Sequence, residues 1–230
     1  MTYVTLSIGG SIINPGKIDV HFLQEFRDLV KDFIEESKGK KKLIIVCGGG
    51  VTAREYIKAS PPDLPPGQKD YLGIAPTWVN AQLLSAWLHE YCAPIPSQDF
   101  RKFLDHVQLF PVAIAGGFLP ALKTDEDSAI AADYFGSPYL INVTNVDGVY
   151  DKDPNKEKNA KRYDYLTYSD YYKMFGGRTV APGASSPMAE VAVTIAERSQ
   201  MRIFVIGKEI ESIKNAINGK CSGTEIGPEK

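Results

Sequence analysis

"KKLIIVCGGGVTAREYI", residues 41–57, joins an apolar run to three consecutive glycines and then to a stretch of helical composition. "KLIIVC" has the continuous apolar character of a strand buried on both faces, and "TAREYIKA" reads as helix up to Pro61-Pro62. Strand, glycine corner and helix in that order form the first part of a βα unit. One glycine is enough for a turn. Three in a row imply either a loose connection or a backbone that must come close to something a Cβ would obstruct.

The same corner occurs twice more, as "LSIGGS" at 6–11 and "VAIAGGF" at 112–118. Between and beyond the corners, short apolar runs alternate with helical patterns. Residues 3–8 read as strand. Over residues 20–36, Phe22, Leu23, Phe26, Leu29, Val30, Phe33 and Ile34 keep the three-and-four spacing of one buried helix face. "SPPDLPPGQKD" (60–70) reads as an ordered, non-regular loop, followed by a helix over 77–91. Residues 107–117 end in a strand, 125–136 read as helix and 139–146 as strand, and a polar segment then leads to a short helix from about Ser169. Helix 187–199, strand 202–207, helix 210–220 and a short "GTEIG" end complete the pattern. This alternation predicts one α/β domain over 1–230, with a largely parallel sheet covered on both faces.

The bulk properties exclude several function classes. A net charge of −2 offers no basic footprint for nucleic acid and no polybasic membrane surface. Cys47, Cys92 and Cys221 are widely spaced, forming neither a disulfide framework nor a C-x-x-C site, and His21, His89 and His106 are isolated. Met1 leads straight into "TYVTLSIGG", and no apolar run is long enough to cross a bilayer, so a reduced, cytoplasmic protein is expected. "NVT" at Asn142 matches a glycosylation sequon but reads more simply as strand.

Three glycine corners at the same end of one sheet suggest a phosphate ligand. In open α/β sheets ligands bind beyond the carboxyl ends of the strands, and glycine turns let amides and helix N-termini converge on an anion. "GGGVTARE" lacks the Lys-Ser/Thr of a P-loop. Residues 48–53 match the dinucleotide pattern G-x-G-x-x-A, with Asp70 downstream. That acid follows a proline-rich loop rather than ending a strand, which ranks a nicotinamide dehydrogenase low.

Taken in order, "SIGGSI", "CGGGVTAREYI", "KDYLGI…NAQLL", "GGF.P…TD", "TNVDGVYDKDP" and "AERSQMRIFVIGK…GT.I" resemble the amino acid kinase superfamily, in particular uridylate (UMP) kinases of the archaeal type. The resemblance implies a three-layer αβα sandwich with a mainly parallel central sheet. It also implies transfer of the ATP γ-phosphoryl group to UMP with Mg²⁺, and a hexamer built as a trimer of dimers. By position, Gly10, Ser11, Gly50, Arg54, Thr144, Tyr150 and Asp153 would bind ATP. Gly49, Asp70, Phe118, Leu119, Pro120, Ala121, Leu122, Lys123 and Thr124 would bind UMP. Thr124 and Asp125 match a Thr-Asp pair that opens a helix and would form a further anion site. Such a reaction needs no covalent nucleophile, because a UMP phosphate oxygen is already ionised; positioning and electrostatics do the work.

The chain departs from the pattern in places. Ser7 stands where the wider superfamily has a lysine, Lys123 where a hydroxyl residue is usual, Trp78 where an arginine is common, and Ala121 where a glycine is usual. The late helix lacks an Asp-Pro start and an internal lysine. Those positions fall on Ala189 or Ser186, and on Thr194. Arg54, Lys123 and Ser11 are the candidate catalytic groups, with Lys123 expected to supply the missing cation. Isopentenyl phosphate kinase should carry a histidine where this chain has Cys47, and acetylglutamate kinase a different acceptor loop. A non-catalytic nucleotide sensor or storage subunit of the same fold is the reading from another class.

Overall fold

The computed structural model describes residues 1–176 and 187–229. In chain order its elements are β1 (Thr2–Ile8), α1 (Gly10–Ile13), α2 (Val20–Ser37), β2 (Lys41–Cys47), α3 (Gly50–Ala59), α4 (Pro66–Trp87), α5 (Phe100–Leu109), β3 (Val112–Ala115) and α6 (Thr124–Phe135). There follow β4 (Tyr139–Val143), β5 (Val149–Tyr150), β6 (Arg162–Tyr163), β7 (Tyr165–Thr167), α7 (Tyr168–Phe175), α8 (Glu190–Ser199), β8 (Arg202–Ile206), α9 (Ile210–Ile217) and β9 (Thr224–Gly227).

A seven-stranded sheet runs β3-β2-β1-β4-β8-β9-β7, parallel throughout except where β9 meets β8. Alternation along the strands separates the layers. Val4, Leu6 and Ile8 of β1 pack under α2, α4 and α9 with Leu43, Ile45 and Cys47 of β2. The other face of the sheet carries Leu140, Ile203 and Val205 against α6, α7 and α8, and Ile44, Ala113 and Ala115 against α5 and α6. Helix α6 approaches the sheet through alanines, Ala129, Ala131 and Ala132, all fully buried. The expected three-layer αβα architecture is therefore present.

Helices α4 and α5 differ from the sequence reading, and strands β5, β6 and β7 fall in the segment it read only as polar. Residues 66–70, expected in a loop, open α4, which continues through Pro76 to Trp87 rather than spanning 77–91. Pro66 at the first helical position loses no hydrogen bond, because that N–H is unpaired in any helix. Pro76 withholds an intrahelical N–H, and the Thr77 hydroxyl donates to the Ile74 carbonyl at 2.6 Å in the same turn. Helix α5 was not anticipated. Asp99 caps it by accepting the Lys102 N–H at 2.9 Å, and it uses residues 107–109 that the sequence assigned to the approach of a strand.

Strands β1, β2, β3 and β4 all end at one edge of the sheet, and their ends are stitched together. Gly9 N–H donates to the Val143 carbonyl and Gly48 N–H to the Ile8 carbonyl, at 2.9 and 2.8 Å. Asn142, the sequon residue, lies on central strand β4 and is 4 % exposed, with its side-chain amide donating to the Pro187 carbonyl.

Candidate active site

Two of the three glycine corners meet, and the third, Gly116-Gly117, packs against Thr77, Trp78 and Ile74 of α4. A Cβ on Gly10 would sit 2.3 Å from both the Gly48 carbonyl oxygen and the Gly50 nitrogen. Gly50 takes φ +63°, and a Cβ there would lie 2.5 Å from the Gly10 carbonyl carbon. So the close approach inferred from three glycines is first of all backbone against backbone: the turn after β1 lies on the turn after β2. Asn80 of α4, 5 % exposed, reaches in to donate to the Gly48 carbonyl at 2.8 Å. Helix α3 then leaves the corner with no acid in its first turn, so its positive end faces the opening.

Around this junction lies a cleft of about 900 Å³, near the upper end of the roughly 300–1,000 Å³ usual for small-molecule sites. It is lined by Gly10, Ser11, Gly49, Gly50, Arg54, Asp70, Leu122, Lys123, Thr124, Thr144, Tyr150 and Asp153, all of them expected from the sequence. Two halves flank the glycine junction. One is walled by α3, α4 and the loop between β3 and α6, through Ile57, Asp70, Ile74, Thr77 and Leu122. The other is walled by the segment after β4 and by the β5–β6 hairpin, through Thr144, Val146, Tyr150, Asp153 and Tyr163. Among the described residues, Arg54, Lys123 and Lys152 are the cations on its surface.

In the second half, Tyr150 is fixed by its hydroxyl, which donates to the Asp147 carboxylate, and Arg162 holds the same carboxylate at 2.7 Å. Asp153 accepts the Asn155 N–H at 3.0 Å, which holds its carboxyl below the usual range, and also pairs with Lys156. It is thus a turn acid that also faces the cleft.

The loop from Gly116 to Lys123 departs from a simple binding loop. The Phe118 ring packs among Trp78, Phe100 and Phe103, away from the cleft, at centroid distances of 6.2, 5.3 and 5.5 Å. Leu119, Pro120 and Ala121 are not among the lining residues. Ala121 has φ +66°, a left-handed conformation that explains why a glycine is usual there. Its N–H donates to Asp70 Oδ2 at 2.9 Å, so Asp70, one turn into α4, braces this loop while facing the cleft. The anion site expected at the start of α6 is opposed by Asp125, Glu126 and Asp127, which already answer the positive end of that helix.

The departures from the sequence pattern converge. Asp125, facing the cleft but enclosed by protein, accepts from Ser7 Oγ at 3.2 Å and from the Ala189 N–H. Burial pushes its carboxyl up, while the charge of Lys123 and these two hydrogen bonds pull it down. Ser7, Lys123 and Ala189, three exchanged positions, therefore surround one carboxylate. Thr194 lies apart, bonded to the Tyr172 hydroxyl, and Ser186 lies outside the described residues.

Sequence reasoning missed Thr77, Asn80, Glu126 and Asp127. The sequence reading took 125–136 only as helix and gave Asp127 no role, yet Asp127 is only 2 % exposed. Its stripe, with buried Ala131 four residues on, was the available signal.

A family model described as "Amino acid kinase family" matches residues 3–207. The chain belongs to the amino acid kinase family. Within this family it is 37 % identical over 227 residues to a uridylate kinase of Thermococcus onnurineus, covering 98 % of this chain and 99 % of that one. A uridylate kinase of Pyrococcus abyssi gives the same identity and coverage. The crystal structure of uridylate kinase from Archaeoglobus fulgidus superposes with a TM-score of 0.81 at 31 % identity, covering 98 % of this chain and all of that one.

Proposed function

We propose that this chain is a UMP kinase, transferring the γ-phosphoryl group of ATP to UMP. The observation that carries the reading is the single cleft with two halves meeting at the interlocked glycine turns. That arrangement can place two phosphate groups end to end over one set of backbone amides. The half at Thr144, Tyr150 and Asp153 takes the adenosine of ATP, with Gly10, Ser11, Gly50 and Arg54 on its phosphates. The half at Gly49, Asp70, Leu122 and Thr124 takes UMP. Asp70 gives one oxygen to Ala121 and keeps the other for the ribose hydroxyls.

Transfer is then a matter of placement and charge. Backbone amides hold the phosphates, and Arg54 leans from the first turn of α3, where its guanidinium can grip phosphate oxygens in pairs. Lys123, which lines the cleft, supplies the cation that Ser7 does not. Among the described residues no group of three His, Cys, Asp or Glu side chains could cage a metal ion. Mg²⁺ suits such a site, because it takes most of its ligands from substrate phosphates and water. Bound there, it would neutralise phosphate charge.

We read the protein as one cytoplasmic domain that assembles as a hexamer, a trimer of dimers. Supporting the assembly, α4 is apolar beyond its buried stripe, with Tyr71 and Val79 exposed. No described helix is long and apolar enough to cross a membrane.

A second reading, a nucleotide sensor, is favoured by the Asp125 surroundings, where the Ser7 hydroxyl stands in place of an ammonium group and Ala189 in place of an acid. The isopentenyl phosphate reading is weakened because Cys47 is fully buried in the core, with its thiol pushed up by burial. A coupled assay with ATP, Mg²⁺ and UMP, CMP, isopentenyl phosphate or acetylglutamate separates these. UMP turnover at the highest kcat/KM supports the kinase, and nucleotide binding without any turnover supports the sensor.

A further inference from the structure

The loop between β3 and α6 is held by its own backbone amides, and side chains of two helices hold them. From α4, the Thr77 hydroxyl accepts the Gly117 N–H at 2.8 Å and Asp70 accepts the Ala121 N–H at 2.9 Å. From α6, Asp127 Oδ2 accepts the Phe118 N–H at 3.2 Å and Glu126 Oε2 accepts the Lys123 N–H at 2.7 Å. Of these four acceptors Asp127 is the most enclosed. A carboxylate at such a site is costly, and an apolar side chain would fill the space more cheaply. Its carboxylate neighbours Asp125 and Glu126 add repulsion, and burial with that repulsion pushes its carboxyl up to about 7. What the carboxyl gains in return is the Phe118 amide.

The position of that amide is what matters. Phe118 is where the loop turns from the Gly116-Gly117 corner, pressed on α4, toward the segment that lines the cleft. A Cβ on Gly117 would lie 3.5 Å from Ile74 and 3.7 Å from both Asp127 Oδ2 and Thr124. Ile74 and Thr124 themselves line the cleft. A change at the Asp127–Phe118 contact therefore reaches Leu122, Lys123 and Thr124 through a short, tied loop.

We infer that Asp127 is a positioning residue for the acceptor: through the Phe118 amide it fixes the β3–α6 loop in the shape that receives UMP, without touching substrate. The inference rests on the reading of this half of the cleft as the UMP side. It separates Asp127 from the groups that act on the phosphates, because the ATP half of the cleft is built from other segments.

The test compares wild type, Asp127→Ala and Asp127→Asn by steady-state kinetics with each substrate varied, and by hydrogen exchange at the Phe118 amide. Asn keeps a carbonyl oxygen that can accept the amide; Ala does not. Loss of a hydrogen bond to a carboxylate predicts a rise of about tenfold in the UMP KM of D127A. The ATP KM should stay within about twofold, and Phe118 should exchange faster, while D127N restores both readouts to near wild type. A UMP KM unchanged in D127A, or kcat and both KM values falling together in the two variants, overturns the inference. If D127A does not fold, wild-type exchange decides. UMP should add protection at Phe118 beyond that given by ATP alone, and equal protection by either nucleotide overturns it. A wild type that binds ATP but never phosphorylates UMP overturns the function itself, which is a different outcome from an active wild type with an indifferent Asp127.

Discussion

At the scale of single residues, cost and use can be read side by side. Lys123 lines the cleft, and its charge acts on Asp125. Replacing it with alanine should lower kcat by about 100-fold, the size of one transition-state charge contact, with a smaller change in either KM. Steady-state kinetics checks this, and unchanged turnover would remove Lys123 from the mechanism. Ala121 sits at φ +66°, where a side chain is strained by about 1 kcal/mol. Ala121→Gly should therefore raise, or at least not lower, the urea midpoint, which few glycine substitutions do. Asp127 gives a pH prediction. Burial chiefly, and the Glu126 and Asp125 charges, raise its carboxyl to about 7 against the lowering by the Phe118 N–H. The folded protein then holds a proton that the unfolded chain has released between about pH 4 and pH 7. Its contribution to stability is full below the unfolded value and is lost as pH rises through about 7. The stability gap between wild type and D127N should shift in favour of wild type on acidification from about pH 8 to about pH 5.5, by up to about 1.4 kcal/mol per pH unit in that window. A gap that does not change with pH would show that Asp127 does not titrate there.

At the scale of elements, the corners decide what could be read in advance. Strands β1, β2 and β3 were legible because buried parallel strands are continuous apolar runs, and each ends in glycine. That the glycines serve contact between turns as well as an open cleft was not legible, since pairing across the sheet is invisible in one segment. Helix α4 was misread at both ends for a local reason. Proline is a reliable breaker only where no tertiary partner takes up the freed groups, and here Pro76 is buried and Thr77 bonds back into its own turn. Helix α5 was hidden because its polar and apolar residues fall in ten residues between Pro94 and Pro96 on one side and Pro111 on the other. For the site, the cleft-facing residues followed from motif positions. Phe118 did not, because only the fold reveals the Trp78, Phe100 and Phe103 cluster that claims its ring. The interlock makes its own prediction. Gly10→Ala places a Cβ within 2.3 Å of the second corner's backbone, and backbone cannot rotate away as a side chain can. The substitution should cost about 1–3 kcal/mol or more in urea unfolding and abolish turnover, whereas Gly67→Ala, in open space on α4, should leave activity and stability near wild type.

At the scale of the whole molecule, the parallel sheet gathers four strand ends, three of them glycine corners, at one edge, and the layers above and below supply two different walls for one cleft. No side chain there has to act as a nucleophile. The chemistry asked of the protein is to bring two anions together and spread the charge that develops between them. ATP and UMP should therefore each stabilise the protein by itself, by about 2.7 kcal/mol at a hundredfold excess over Kd, and thermal unfolding with each nucleotide alone would reveal both halves. The most direct test of the account follows label from γ-labelled ATP in the presence of Mg²⁺ and UMP. Labelled UDP formed one-for-one with ADP, with no labelled protein intermediate, is the predicted result. Absence of labelled UDP from protein that both nucleotides still protect against unfolding would contradict it.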